Sequence, residues 1–73
     1  LHKNFYSKLL AKHPSLTPNE VRHITYIRMN YSTKEIARIF SVEAGSIQKA
    51  RVRLKKKLNL KRNEDLFLYI HDI

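Results

Sequence analysis

Apolar residues return along this chain at intervals of three and four, and nowhere do apolar and polar positions alternate long enough to predict a strand. The pattern predicts an all-α fold of four to five helices, over residues 2–12, 18–29, 33–40, 44–58 and 63–71. In the first, Phe5, Tyr6, Leu9 and Leu10 share a face, and His13-Pro14 ends it because a proline restricts the residue before it. A loop, Pro14-Ser15-Leu16, follows. Thr17-Pro18-Asn19-Glu20 is a helix start: Thr17 caps, Pro18 suits the first helical position, and Glu20 reaches back to the cap. That second helix runs to about Met29, with Asn30 in the left-handed conformation that closes it. Ser32-Thr33-Lys34-Glu35 is a second capping box, opening a short helix with Ile36, Ala37, Ile39 and Phe40 available to the core. Ser41-Val42-Glu43 is a turn. For the last helix, Asn63 is the expected cap, with Glu64 and Asp65 as acids in the first turn.

The fourth helix is the most informative. At about 100° per residue, Ile47, Leu54 and Leu58 fall within roughly 20° of one line, with Ala50 near its edge. This stripe must pack on the rest of the domain. Gly45, Lys49, Val52 and Lys56 lie opposite it; Gln48 and Lys55 flank that outward face on one side, Arg53 and Ser46 on the other. Arg51 falls about 40° from the core stripe, which marks it as structural rather than outward-facing. From 44 to 63 the chain carries eight Lys or Arg and no acid. Like charges so placed repel one another and weaken an isolated helix, which points to a polyanionic partner rather than a merely solvated face.

In the last helix five consecutive apolar residues, Leu66-Phe67-Leu68-Tyr69-Ile70, cannot all face one core. Some must cover a second surface, either the first helix of the same chain or the same helix of another copy. The first helix is the expected mate, because it too needs one.

At 73 residues the chain makes a single domain with one small core, and its charge of +9 and pI near 10.2 favour a phosphate-rich partner: DNA, RNA or an anionic membrane surface. Without cysteine there is neither a disulfide nor a thiolate metal site. No apolar run spans a bilayer and no signal peptide opens the chain, so a soluble, cytoplasmic domain is expected. A first residue that is leucine suggests excision from something longer. His2, His13, His23 and His71 lack metal-ligand spacing, no serine sits in a nucleophile elbow, and Glu64-Asp65 reads as helix-start charge. An enzyme, a metal and a cofactor are therefore not expected. Tyr6, Tyr26, Tyr31 and Tyr69 read as core or boundary residues rather than base-stacking platforms. Glu20 and Glu35 are expected to pair with Arg51 or another internal cation.

A short helix over 33–40, a three-residue turn and a longer basic helix from 44 form a helix-turn-helix pattern. The short helix would lie across a DNA backbone with its amino end toward phosphate, where Thr33 and Lys34 add contacts. Ala37 lets the two helices approach. The basic helix would enter the major groove, its outward residues at base edges and its flanks, including Arg53 and Lys55, at phosphates.

The stretches Leu16-Thr17-Pro18 with Glu20, Ser32-Thr33-Lys34-Glu35-Ile36-Ala37, Ser46-Ile47 and Lys56-Lys57-Leu58-Asn59-Leu60 resemble the LuxR-type, or GerE-like, DNA-binding domain of bacterial transcription regulators. They keep its register without a gap from residue 16 to 60, so residues 1–15 stand as an extra helix and loop before a core of 16–73. Tyr26-Ile27-Arg28-Met29-Asn30 and Arg51-Val52-Arg53-Leu54 look like the domains that end large sensor regulators of the Bacteroidetes.

The resemblance implies sequence-specific binding of double-stranded DNA, commonly as a homodimer paired through the last helix (Leu66, Phe67, Ile70), with a sensor or receiver domain upstream in the same chain. By position it puts Gln48, Lys49 and Val52 at bases and Thr33, Lys34, Ser46 and Lys56 at phosphates. Asn30 and Ser41 stand where the family usually has glycine, Glu43 where a serine normally caps the recognition helix, and Ala50 where a histidine is frequent. Two other readings compete: a promoter reader like the helix-turn-helix region of a bacterial sigma factor, and a protein-interaction module docking through the apolar last helix. An RNA reader fits less well, because the A-form major groove excludes helices.

Overall fold

The computed structural model describes residues 2–73 and, among them, five helices and no strand. They are α1 (His2–Lys12), α2 (Pro18–Arg28), α3 (Thr33–Phe40), α4 (Ala44–Lys57) and α5 (Leu66–Asp72). None is long and apolar enough to cross a membrane. The all-α expectation holds, and the first four helices match their expected bounds to within one residue, Met29 and Leu58 serving as C-caps rather than helical residues.

Both expected capping boxes form. Glu20 N–H donates to Thr17 Oγ1 at 3.2 Å while the Thr17 N–H donates to the Glu20 carboxylate at 2.8 Å. The Ser32–Glu35 pair repeats this at 3.1 and 2.8 Å. Three helices close on a left-handed residue, and none of the three is glycine: Asn30 (φ 65°), Ser41 (φ 57°) and Asn59 (φ 60°). Each closure has the same paired bonds, as in Tyr31 N–H to Tyr26 carbonyl at 3.0 Å beside Asn30 N–H to Ile27 carbonyl at 2.9 Å. The Tyr26 and Tyr31 rings stack at 5.4 Å across the first of them, tightening the turn into α3.

The last helix starts later than expected. Asp65, not Asn63, is its cap, accepting from the N–H groups of Phe67 at 2.8 Å and Leu68 at 3.3 Å. Glu64 is unavailable for the first turn because its carboxylate accepts the Lys61 N–H at 2.7 Å, folding residues 61–64 into a turn.

One apolar core joins all five helices: Phe5 and Leu9 from α1, Ile24 and Ile27 from α2, Ile36 and Ala37 from α3, Ile47 and Leu54 from α4, Leu66 and Ile70 from α5. Leu16 and Leu58 complete it from the connections. Tyr6 and Leu10, expected beside Phe5 and Leu9, are exposed and half-buried, and Ile39 is exposed while Phe40 packs at the core's edge.

The mate of α5 also differs from expectation. Its principal neighbour is α2, not α1. Arg28 reaches over from α2 and donates to the Ile70 carbonyl at 2.9 Å, satisfying a group that a helix end leaves open, and the His71 ring bridges the Phe67 carbonyl and the Asn30 carboxamide. His13, just past the end of α1, meets α5 with its Nε2 2.7 Å from the Tyr69 hydroxyl. Because Leu66 and Ile70 are consumed by the chain's own core, they cannot line a homodimer face; Phe67 and Leu68 are the apolar residues α5 leaves outside.

Candidate nucleic-acid interface

The α3 and α4 helices pack on each other across Ser41-Val42-Glu43. Ile36 and Ala37 on one side and Ile47 and Leu54 on the other bury their contact, and the small Ala37 keeps the axes near. With the Ile47–Leu54–Leu58 stripe held inward, the opposite side of α4 is left open. Gln48, Lys49, Val52, Arg53, Lys56 and Ser46 are all exposed, as the helical phase requires. Val52 is 57% exposed, far more than an aliphatic side chain placed for packing would be.

Glu43 caps α4 by position only. Its side chain makes no cap hydrogen bond, as its chemistry implies, and Ser46 and Ile47 donate instead to its backbone carbonyl at 3.0 and 3.4 Å. Gly45 is exposed in the first turn, and nothing lies within 4 Å of where a Cβ would stand. The fold therefore does not itself demand glycine there.

Two of the expected phosphate contacts have partners inside the protein. Thr33 is half-buried, and its Oγ1 accepts from Arg51 Nη1 at 2.6 Å. Lys55 is half-buried too, its Nζ donating to the Arg62 carbonyl at 2.9 Å, which pulls the ammonium toward the loop before α5. Lys34 is fully outward at the amino end of α3. The exposed cations gathered on α4 and on the start of α3 are thus Lys34, Lys49, Arg53, Lys56 and Lys57, of which Lys57 is paired with Glu20.

Arg51 is structural, as its angle on the helix suggests, but in a way spacing cannot reveal. Its guanidinium lies 4.9 Å over the Phe67 ring, and its Nε and Nη2 are enclosed without a hydrogen-bond partner. Burial lowers its pKa, yet a guanidinium stays charged in any protein interior. Beside it stands His23, 4% exposed, edge-on to Phe40 at 6.0 Å and with Nε2 unpartnered. Burial first, and the charge of Arg51 second, push its pKa down to about 4.

The two glutamates expected to pair internally with cations divide. Glu20 meets Lys57, not Arg51, at 2.7 Å. Burial alone would raise its pKa, but the Lys57 ammonium and the Thr17 hydrogen bonds outweigh it and hold the carboxyl below its usual value. Glu35 finds no internal cation: the Ser32 hydrogen bonds of its capping box lower its pKa, with a smaller effect from Arg38. Among the described residues no three of His, Asp and Glu gather as a metal site; the His2 side chain lies outside the described residues.

Compared with known proteins, the chain matches no family model, and no curated protein or solved structure is significantly similar to it.

Proposed function

We propose that this chain is the DNA-binding output domain of a bacterial transcription regulator of the LuxR type, with α3 and α4 as a helix-turn-helix and α4 in the major groove. The observation that carries this reading is the uncovered side of α4, where Lys49, Val52 and Lys56 stand opposite the buried stripe, on a helix whose Arg51 reaches the amino end of α3. An α-helix fits the major groove, a row of side chains on its outer face reaches base edges, and cations on either side meet the two phosphate strands. Gln48, Lys49 and Val52 are the base readers. Lys34, Ser46, Arg53 and Lys56 are the phosphate contacts, with Thr33 adding its hydroxyl and Lys55 the N–H groups not spent on Arg62.

Phe67 at 41% exposure and Leu68 at 72% give α5 an apolar outer edge, which favours a protein contact there in addition to DNA binding. A homodimer paired through α5 would use those two residues. The resemblance that supports the LuxR reading carries with it an upstream sensor or receiver domain and a cytoplasmic setting.

The test is enrichment of random duplexes on the purified chain at physiological salt. A winning sequence with two related half-sites is expected, and its symmetry would report the dimer. Binding that does not change with salt, or no enrichment at all, would remove the reading and leave the protein-interaction alternative.

A further inference from the structure

We propose that Arg51 is a positioning residue for phosphate recognition: it holds the Thr33 hydroxyl from inside, so that the hydroxyl proton faces outward at the start of α3 for a DNA phosphate to accept. This rests on the reading of α3 and α4 as a DNA-binding pair. Thr33 is the first residue of α3, eighteen positions before Arg51 in sequence, and the Nη1–Oγ1 distance is 2.6 Å. A hydroxyl has one proton to give and two lone pairs to accept with. Once an N–H from the protein interior fills a lone pair, the proton has to point away from that N–H. Left alone, a threonine at a helix start turns its hydroxyl onto nearby backbone and has no reason to present it to solvent.

The setting of Arg51 fits positioning better than simple strapping. Stacked on Phe67 and half-buried, the guanidinium is braced by α5 on one side and α3 on the other. Nε and Nη2 have no partner among the described residues, so the hydrogen bond Arg51 makes within the chain goes to Thr33. What it yields is a permanent positive charge fixed behind Thr33 and Lys34, where low dielectric screens it less than a surface lysine. Arg51 never needs to touch the nucleic acid.

The experiment is a double-mutant cycle read as affinity for the duplex enriched from the random pool, with stability measured in parallel by denaturant. Its members are the wild-type chain, Thr33→Val, Arg51→Met and the double variant, with Arg51→Leu as a second donor-free replacement if the methionine variant folds poorly and Arg51→Lys as the conservative rescue. Removing the hydroxyl should weaken binding about three- to tenfold in the presence of Arg51, and less than about twofold once residue 51 no longer orients it. Arg51→Lys keeps a charge and an N–H donor, so it should retain more of the Thr33 penalty than Arg51→Met does. A Thr33 penalty that stays the same in the Arg51→Met or Arg51→Leu background overturns the proposal and leaves Arg51 a packing residue. Absence of salt-dependent duplex binding by the wild type is a different failure, one that removes the DNA reading itself.

Discussion

His23 gives the fold a sensitivity to acid whose size can be worked out. It sits on the inner side of α2, almost wholly enclosed, against Phe40 of α3 and near the Arg51 guanidinium of α4. In the unfolded chain its imidazole takes up a proton near pH 6.5; in the folded chain it does not until about pH 4. Between those values the unfolded state binds more protons, so the contribution is fully present above the unfolded pKa and is lost as pH falls toward the folded one. A displacement of that size is worth roughly 3 kcal/mol, of which about 2.5 kcal/mol would be gone on acidifying from near neutrality to about pH 4.5. Small domains hold only about 5–15 kcal/mol in all, so this one side chain removes a large share.

The perturbation is His23→Leu, which keeps the volume and removes both the titration and the unpartnered ring nitrogen. At neutral pH its stability should lie within about 1 kcal/mol of wild type, because deleting an unsatisfied buried polar atom offsets imperfect packing. Urea unfolding followed by helical circular dichroism, repeated across the acid range, should give a stability curve flatter than that of wild type by about 2–2.5 kcal/mol over the same window. His13 shifts in the same direction, through burial and then the charge of Lys12, but it is present in both proteins and cancels in the difference. Parallel curves, or a ring titration of His23 by NMR with a midpoint near its ordinary value, would refute the account.

Lys56→Ala should lower the slope of log affinity against log salt by about 0.9, and Lys55→Ala by clearly less, because the Lys55 ammonium is already turned to the Arg62 carbonyl; equal effects in a salt series would contradict that difference. Replacing Lys49 or Gln48 with alanine should change which duplexes are preferred, by roughly 1–3 kcal/mol at the affected base pair, and uniform weakening in a competition assay would reassign them to phosphate. Glu43→Ser should stabilise the fold by about 0.5–1 kcal/mol in denaturant titrations, since the present cap makes no side-chain bond; no gain would mean that the first turn of α4 is satisfied in another way.

What could be read from the sequence follows the range of the interactions. Both capping boxes, the left-handed Asn30 and the inward phase of Ile47, Leu54 and Leu58 depend on residues within a turn or two, and they are where the pattern puts them. Ser41 stands where the domains that the sequence resembles usually have glycine, and its φ of 57° is a conformation that glycine adopts freely. Asn59, which closes α4 in the same way, carries the same asparagine signal as Asn30 and was equally open to that reading. The cap of α5 lies two residues beyond its expected place because Asn63 and Asp65 are both good caps by residue type, and the Glu64 carboxylate is taken by the Lys61 N–H.

Contacts across the fold lay beyond pattern. Nothing local distinguishes α1 from α2 as the mate of α5; the Arg28 bond to the Ile70 carbonyl spans 42 positions and decides it. The same holds at the candidate interface. Side-chain phase finds the outward residues of α4, because exposure is a property of one helix, but it cannot find which cations are still free once the chain has folded. Lys55 and Lys57 are spent on Arg62 and Glu20, while Lys49 and Lys56 make no such contact, although all four read alike as lysines on a basic helix. A count of charges therefore overstates the salt dependence that this domain will show. The three outward cations assigned to phosphate, Lys34, Arg53 and Lys56, set a slope of about −2.7 if each meets one phosphate, and a much steeper value would require Lys49, Lys55, Lys57 or the exposed 61–62 pair to meet phosphate as well.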